Sequence, residues 1–127
     1  MKEINVVIAD DDMNILNNHK RNLEKVPNIN IIGMARNGSE LYHILKSKKA
    51  DIVVTDNQMP GLSGIEVIRK LSDENEYIPN VIMVSGDNIY KECNELDIIL
   101  IMKPVDYTRL LSMINELSDD NENDDIK

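Results

Sequence analysis

Five short apolar runs, rich in β-branched residues, recur along the chain and are separated by polar stretches with helical spacing. Ile4–Ala9 is the first and ends in three aspartates; residues 29–35, 51–55, 81–84 and 98–102 carry the others. Unbroken apolar runs of this kind mark strands buried on both faces. Between the first two, Ile15, Leu16, Leu23 and Val26 form a loose helical stripe that Pro27-Asn28 ends. Asn37-Gly38-Ser39 reads as a turn and cap ahead of Leu41, Ile44 and Leu45, and Ile65, Ile68 and Leu71 mark the next helix. Residues 88–95 make a poor helical segment, whereas Tyr107, Leu110, Leu111, Ile114 and Leu117 give the clearest amphipathic stripe. Strands alternating with helices predict an α/β fold, a parallel sheet covered on both faces. Residues 1–118 read as one domain. Residues 119–127 read as an acidic tail or the start of a linker, since Ser118 to Asp125 offers no apolar anchor.

Composition narrows the function classes. The 127 residues suit one domain able to bury a core without staples. With four Tyr and no Phe or Trp, that core is built from Ile, Leu, Val and Met. The net charge of −9 argues against direct contact with nucleic acid or an anionic membrane and suits a basic partner or a divalent cation. Cys93 is the lone cysteine, so no internal disulfide forms. No apolar run approaches the length of a signal peptide core or a membrane span, and the expected location is cytoplasmic.

The polar residues that stand out share one address. Asp10, Asp11 and Asp12 follow the first strand, Asp56 ends the third, Ser85 the fourth and Lys103 the fifth. In an open α/β sheet, ligands bind outside the carboxyl ends of the strands, so these residues are expected to converge. Carboxylates crowded together repel, and a divalent cation relieves that; magnesium (Mg2+) fits best, because it takes carboxylates, waters and a phosphate oxygen. There is no Cys–His cluster for a softer metal, and His19 and His43 are expected at the surface. A carboxylate beside such a metal can attack phosphorus, with a lysine neutralising the transferring oxygens; Asp56 and Lys103 fit these roles, and Ser85 adds a hydroxyl at the same rim.

The sequence resembles a bacterial two-component response regulator receiver domain over about residues 4 to 117. The matching pieces are Ile8-Ala9-Asp10-Asp11-Asp12, the stretch from Asp51 through Asp56-Asn57-Gln58-Met59-Pro60-Gly61-Leu62-Ser63-Gly64, then Val84-Ser85-Gly86, then Met102-Lys103-Pro104. The resemblance implies a doubly wound five-stranded sheet in the order 2-1-3-4-5. It implies that Asp56 accepts a phosphoryl group from a sensor histidine kinase or phosphotransfer protein. Asp11 would ligate magnesium directly and Asp10 directly or through water, with Asp56 and the backbone carbonyl of Gln58 as further ligands. Lys103 would pair with the phosphoryl group and Ser85 would swing toward it. The module would not be an enzyme in its own right. Its output, by family habit, would be transcription through an attached DNA-binding domain, with a stand-alone receiver and a phosphorylation-dependent homodimer as further options.

Two features depart from the family pattern. Leu100 occupies the position, three before Lys103, where an aromatic residue usually reorients on switching. Ser85 and Lys103 are 18 positions apart, about four fewer than the family's usual spacing, or roughly one helical turn. A short or distorted fourth helix is therefore expected. Rival readings are a degenerate receiver that only mediates contacts and a small phosphatase of the haloacid dehalogenase type using Asp10 with Asp12. A flavodoxin-like binder is disfavoured, because three aspartates after the first strand repel a bare phosphate.

Overall fold

The computed structural model describes residues 2–126 and the side chains of residues 2–119. The apolar runs become β1 (Ile4–Ala9), β2 (Ile29–Ala35), β3 (Ile52–Asp56), β4 (Asn80–Ser85) and β5 (Ile99–Met102). They pair in parallel in the order β2-β1-β3-β4-β5, as expected. The helices are α1 (Met13–Leu23), α2 (Gly38–Ser47), α3 (Gly64–Asp73), α4 (Tyr90–Glu95) and α5 (Tyr107–Ile126).

The strands read as unbroken apolar runs because both faces of the sheet are covered. Ile52 and Val54 join Val6, Ile8 and Ile82 in one core, where Leu16 and Leu23 of α1 meet Leu110 and Ile114 of α5. Val53, between them in sequence, points to the other core with Val7, Met83, Leu41 of α2 and Ile68 and Leu71 of α3. Each such side chain taken fully out of water contributes roughly 1.5–3 kcal/mol. Four helices carry side-chain caps, α5 through Asp106, which accepts from Arg109 N–H at 3.3 Å. Asp12 accepts from Asn14 N–H, Asn37 from Glu40 N–H, and Ser63 forms a reciprocal capping box with Glu66.

Register sets the site. Asp56 pairs with Val84, Ser85 with Met102, and Ala9 with Thr55, so the carboxyl ends of the four strands step across one edge. At β1 the chain turns to opposite faces of the sheet on either side, and the loops after β1 and β3 part to leave a crevice there.

The fourth helix is short, as the spacing predicts. α4 has six residues, no side-chain cap at Ile89 and a single buried residue, Cys93. The chain leaves it through Asp97 in the left-handed region (φ 57°), and Ile98 N–H returns to Cys93 O at 2.8 Å. Leu100, half-buried, packs against the core shared with α2 and α3.

One expectation needs correction. His19, expected at the surface, is 1% exposed on the inner side of α1, since an imidazole can enter an apolar layer when its polar atom finds a partner; His43 is exposed as expected. Ser118, the last residue of the expected domain, is buried, and the helical backbone of α5 runs on to Ile126. The side chains of residues 120–126, and Lys127, lie outside the described residues, so the expected tail over 119–127 falls mostly beyond them. Among the described residues no helix is long and apolar enough to cross a membrane.

Candidate functional site

The three consecutive aspartates after β1 take three different roles. Asp10 is still tied to the sheet, its N–H donating to Ala35 O at 3.1 Å. Its side chain is buried. Oδ1 accepts from Asp12 N–H at 2.9 Å, while Oδ2 is buried without a hydrogen-bond partner among the described residues. Asp11 is exposed, and Asp12 turns outward to cap α1, accepting from Asn14 N–H at 2.8 Å.

Asp56 closes β3 at the centre of the edge and is 5% exposed. Its carboxylate accepts from the backbone N–H groups of Asn57 and Gln58 and faces Lys103 Nζ, which lies 3.4 Å from Oδ2. Asp10, Asp11 and Asp56 each place one carboxylate oxygen within 4.8 Å of the others. Three carboxylate oxygens this close, beside a buried Asp10 oxygen that lacks a partner, suit a hard divalent cation such as magnesium.

The loop between β3 and α3 is held by the residues of the sequence signature. Asn57 Oδ1 accepts from Ile65 N–H at 3.0 Å and Asn57 O from Gly64 N–H at 2.9 Å. A Cβ at Gly64 would stand 2.7 Å from Asp56 O and 2.8 Å from Met83 Sδ, so only glycine lets α3 begin this close to the acceptor strand. Gly38, at the start of α2, is equally constrained: a Cβ there would lie 2.0 Å from Leu62 O.

Ser85 is buried at the end of β4. Its Oγ accepts from Asp87 N–H at 3.0 Å, and its carbonyl accepts from Lys103 N–H at 2.9 Å, which fixes the root of the lysine. Asp87, which the sequence reading did not single out, also accepts from Gln58 Nε2 at 2.5 Å, linking the loops after β3 and β4. The signal was an Asp two residues past a strand-terminal Ser, a spacing that builds a local turn. The other missed pair is His19 with Tyr107, whose Nδ1 and hydroxyl share a 2.7 Å hydrogen bond.

Burial dominates the electrostatics. It raises the Asp10 pKa to about 6, opposed by the Asp12 N–H and reinforced by the charge of Asp56. Asp56 is likewise raised, burial outweighing the lysine and the two backbone donors. Both shifts favour a cation that keeps the carboxylates ionised. The structure brings one carboxylate oxygen each of Asp10, Asp11 and Asp56 together, sets Lys103 3.4 Å from Asp56, and ties Ser85 O to Lys103 N–H. The Gln58 side chain is engaged with Asp87.

The response regulator receiver domain family matches residues 6–115. A protein-glutamate methylesterase/protein-glutamine glutaminase of Treponema denticola is 33% identical over 100 residues, which cover 76% of this chain and 27% of that protein. The transcriptional regulatory protein MalR of Bacillus subtilis is 28% identical over 123 residues, covering 89% of this chain and 49% of MalR. The chain thus spans about half or less of the length of these relatives. Among solved structures, the isolated REC domain of RcsB from Salmonella enterica serovar Typhimurium, with the phosphomimetic BeF3-, superposes with a TM-score of 0.81 at 25% identity. That match covers 93% of this chain and 90% of the RcsB chain. The Francisella response regulator 1452 receiver domain gives a TM-score of 0.82 at 25% identity, over 94% and 99% of the two chains.

Proposed function

The chain belongs to the response regulator receiver domain family, and from that premise we propose that it accepts a phosphoryl group on Asp56 and switches in response. The observation that carries this reading is the setting of Asp56: carboxylate oxygens of Asp10 and Asp11 within 4.8 Å, and Lys103 Nζ at 3.4 Å.

The Asp56 carboxylate attacks phosphorus in line, the donor's bond to phosphorus breaks (P–N in a phosphohistidine, P–O in acetyl phosphate), the imidazole or acetate leaves, and an acyl phosphate remains. Lys103 moves its hydrogen bond from Asp56 Oδ2 to a phosphoryl oxygen. Ser85 Oγ, already accepting from Asp87 N–H, donates its own proton to another, since a hydroxyl does both. Asp10 Oδ2, Asp11, Asp56 and the backbone carbonyl of Gln58 would hold magnesium. That ion would neutralise charge on the carboxylates and on the phosphoryl oxygens.

The donor is a sensor histidine kinase or a phosphotransfer protein, and the module acts in the cytoplasm. Resemblance to a transcriptional regulatory protein twice its length supports an output through a separate DNA-binding effector domain; the acidic receiver itself makes no nucleic-acid contact. Leu100 is half-buried against the core beside a six-residue α4, which favours a readout that does not turn on an aromatic at that position.

Asp12 caps its own helix rather than facing Asp10. A phosphatase using Asp10 with Asp12 is therefore disfavoured. Intact mass after incubation with acetyl phosphate and magnesium tests the proposal. One phosphoryl group gained by the parent and none by Asp56→Ala is the expected result; a gain surviving in the variant sinks it.

A further inference from the structure

α1 begins three residues after Asp10, and α5 begins four residues after Lys103. The two helices therefore leave the site from its acidic and its basic side. They then share one apolar layer, to which α1 gives Leu16 and Leu23 and α5 gives Leu110 and Ile114. A polar pair is set within this layer. His19 is buried, Tyr107 is half-buried, Nδ1 and the hydroxyl are 2.7 Å apart, and the rings meet edge to face at 5.7 Å and 73°.

The pair sits beneath the loop that carries Lys103. Ile15, His19, Lys103, Pro104, Val105 and Tyr107 line one groove of about 480 Å3. The charge of Lys103 reaches His19, and that of Asp10 reaches Tyr107. Burial, helped by Lys103, lowers the His19 pKa to about 4, so the imidazole is neutral and adds no second cation under the lysine.

A lysine is a point charge on a flexible stem, so its placement depends on how its backbone is fixed. Residues 103–106 are anchored at one end by Lys103 N–H on Ser85 O. Pro104 has no N–H to offer. At the far end, the first side chain of α5 is the tyrosine bonded to His19. We infer that His19 and Tyr107 are positioning residues that hold the Lys103 loop against α1 and so aim the lysine at Asp56. This inference rests on the phospho-acceptor reading and adds to it a pair outside the acidic pocket.

The test uses the full chain with magnesium and acetyl phosphate, following phosphoryl incorporation by intact mass. Tyr107→Phe removes the hydroxyl and keeps the ring. It should slow incorporation about tenfold, since a small misplacement of a catalytic group costs up to ~10²-fold. In a Lys103→Ala background the same change should slow it no further, because the lysine through which the pair acts is gone. Magnesium affinity, read from the amide shifts of Asp11 and Asn57, should stay within twofold of the parent. His19→Gln, which keeps a polar atom in reach, should recover most of the rate lost in His19→Ala. Should Tyr107→Phe fail to fold, His19→Gln and His19→Ala carry the same cycle. Equal slowing in both backgrounds, or no slowing in the parent, overturns the inference and leaves the pair a structural tie. If the parent takes up no phosphate, or Asp56→Ala still does, the acceptor reading falls and this inference falls with it.

Discussion

Lys103 Nζ stands 3.4 Å from Asp56 Oδ2, yet the Asp56 carboxyl remains harder to ionise than an ordinary aspartate. Burial on a central strand outweighs one partly exposed cation and two backbone N–H groups. The lysine is therefore a partner the carboxylate needs but is not satisfied by, and the same lysine is free to move to a phosphoryl oxygen. Lys103→Ala should raise the Asp56 pKa further, as seen by NMR titration of the side-chain carboxyl. It should slow phosphoryl incorporation by ~10²-fold, the usual effect of losing one donor to a transferring group. Magnesium affinity should not weaken, because a competing cation has been removed; a large loss of metal binding would assign Lys103 to metal-site architecture instead.

Removing the acceptor itself should leave the fold intact. Asp56 is one of three crowded carboxylates, and Asp56→Asn relieves repulsion while keeping an oxygen for the N–H groups of Asn57 and Gln58. Without magnesium the variant should unfold at a temperature equal to or above the parent's, by up to ~1 kcal/mol in stability. Phosphoryl incorporation should vanish. Circular dichroism melts and intact mass on one sample decide both points, and a melt well below the parent's would mean Asp56 holds the structure together.

Two buried groups pull the pH dependence in opposite directions. Asp10 has its pKa raised to about 6, so the folded state holds that proton more tightly than the unfolded chain. Its contribution therefore favours folding at low pH and is lost as pH rises from about 4 to about 6. His19 is lowered to about 4, so its contribution is present above about 6.5 and is lost as pH falls toward 4. Each amounts to up to ~3 kcal/mol, and in the metal-free parent they largely cancel across this window. Asp10→Asn should expose the histidine, giving a protein more stable than the parent at pH 7 but falling steeply on acidification. His19→Gln should do the reverse, with stability that rises on going from pH 6 to pH 4. Urea titrations at pH 4, 5, 6 and 7 check this, and parallel curves for the two variants would refute it.

The strands and the site were legible because both rest on strong local signals. Ile4–Ala9 and residues 29–35 are observed as strands with the expected ends. A run such as Val81-Ile82-Met83-Val84 has no reading other than a strand covered on both sides. Asp10, Asp56, Ser85 and Lys103 met in space because each terminates such a strand, and parallel strands end together. The short α4 was legible from the Ser85–Lys103 spacing only when set against the usual spacing of the family that the sequence resembles. His19 was not, since a single histidine on a helix reads as surface until its partner is known, and Tyr107 lies 88 positions away. Asp12 was grouped with the acidic cluster because sequence adjacency does not reveal that one of three neighbours has turned to cap the helix.

Gly64 joins the acceptor strand to α3 with no room to spare. Its N–H donates to Asn57 O at 2.9 Å, and an added Cβ would lie 2.7 Å from Asp56 O, with Met83 Sδ at 2.8 Å on the far side. The methionine tip can shift, but the carbonyl belongs to the strand. Gly64→Ala should therefore push α3 away from β3 and tilt the Asp56 peptide, which carries both the carboxylate and the N–H donors that follow it. The expected destabilisation is ~1–3 kcal/mol, typical of an overpacked buried site. Phosphoryl incorporation should fall more than stability alone explains, because a displaced carboxylate no longer lines up with Lys103. Gly61, at φ 77° with open space around it, is the comparison: Gly61→Ala strains the backbone of the same loop without touching Asp56. Denaturant melts and initial rates on both variants separate the effects. A Gly64→Ala protein that loses stability but keeps the parent's rate would show that the acceptor tolerates movement of its strand end.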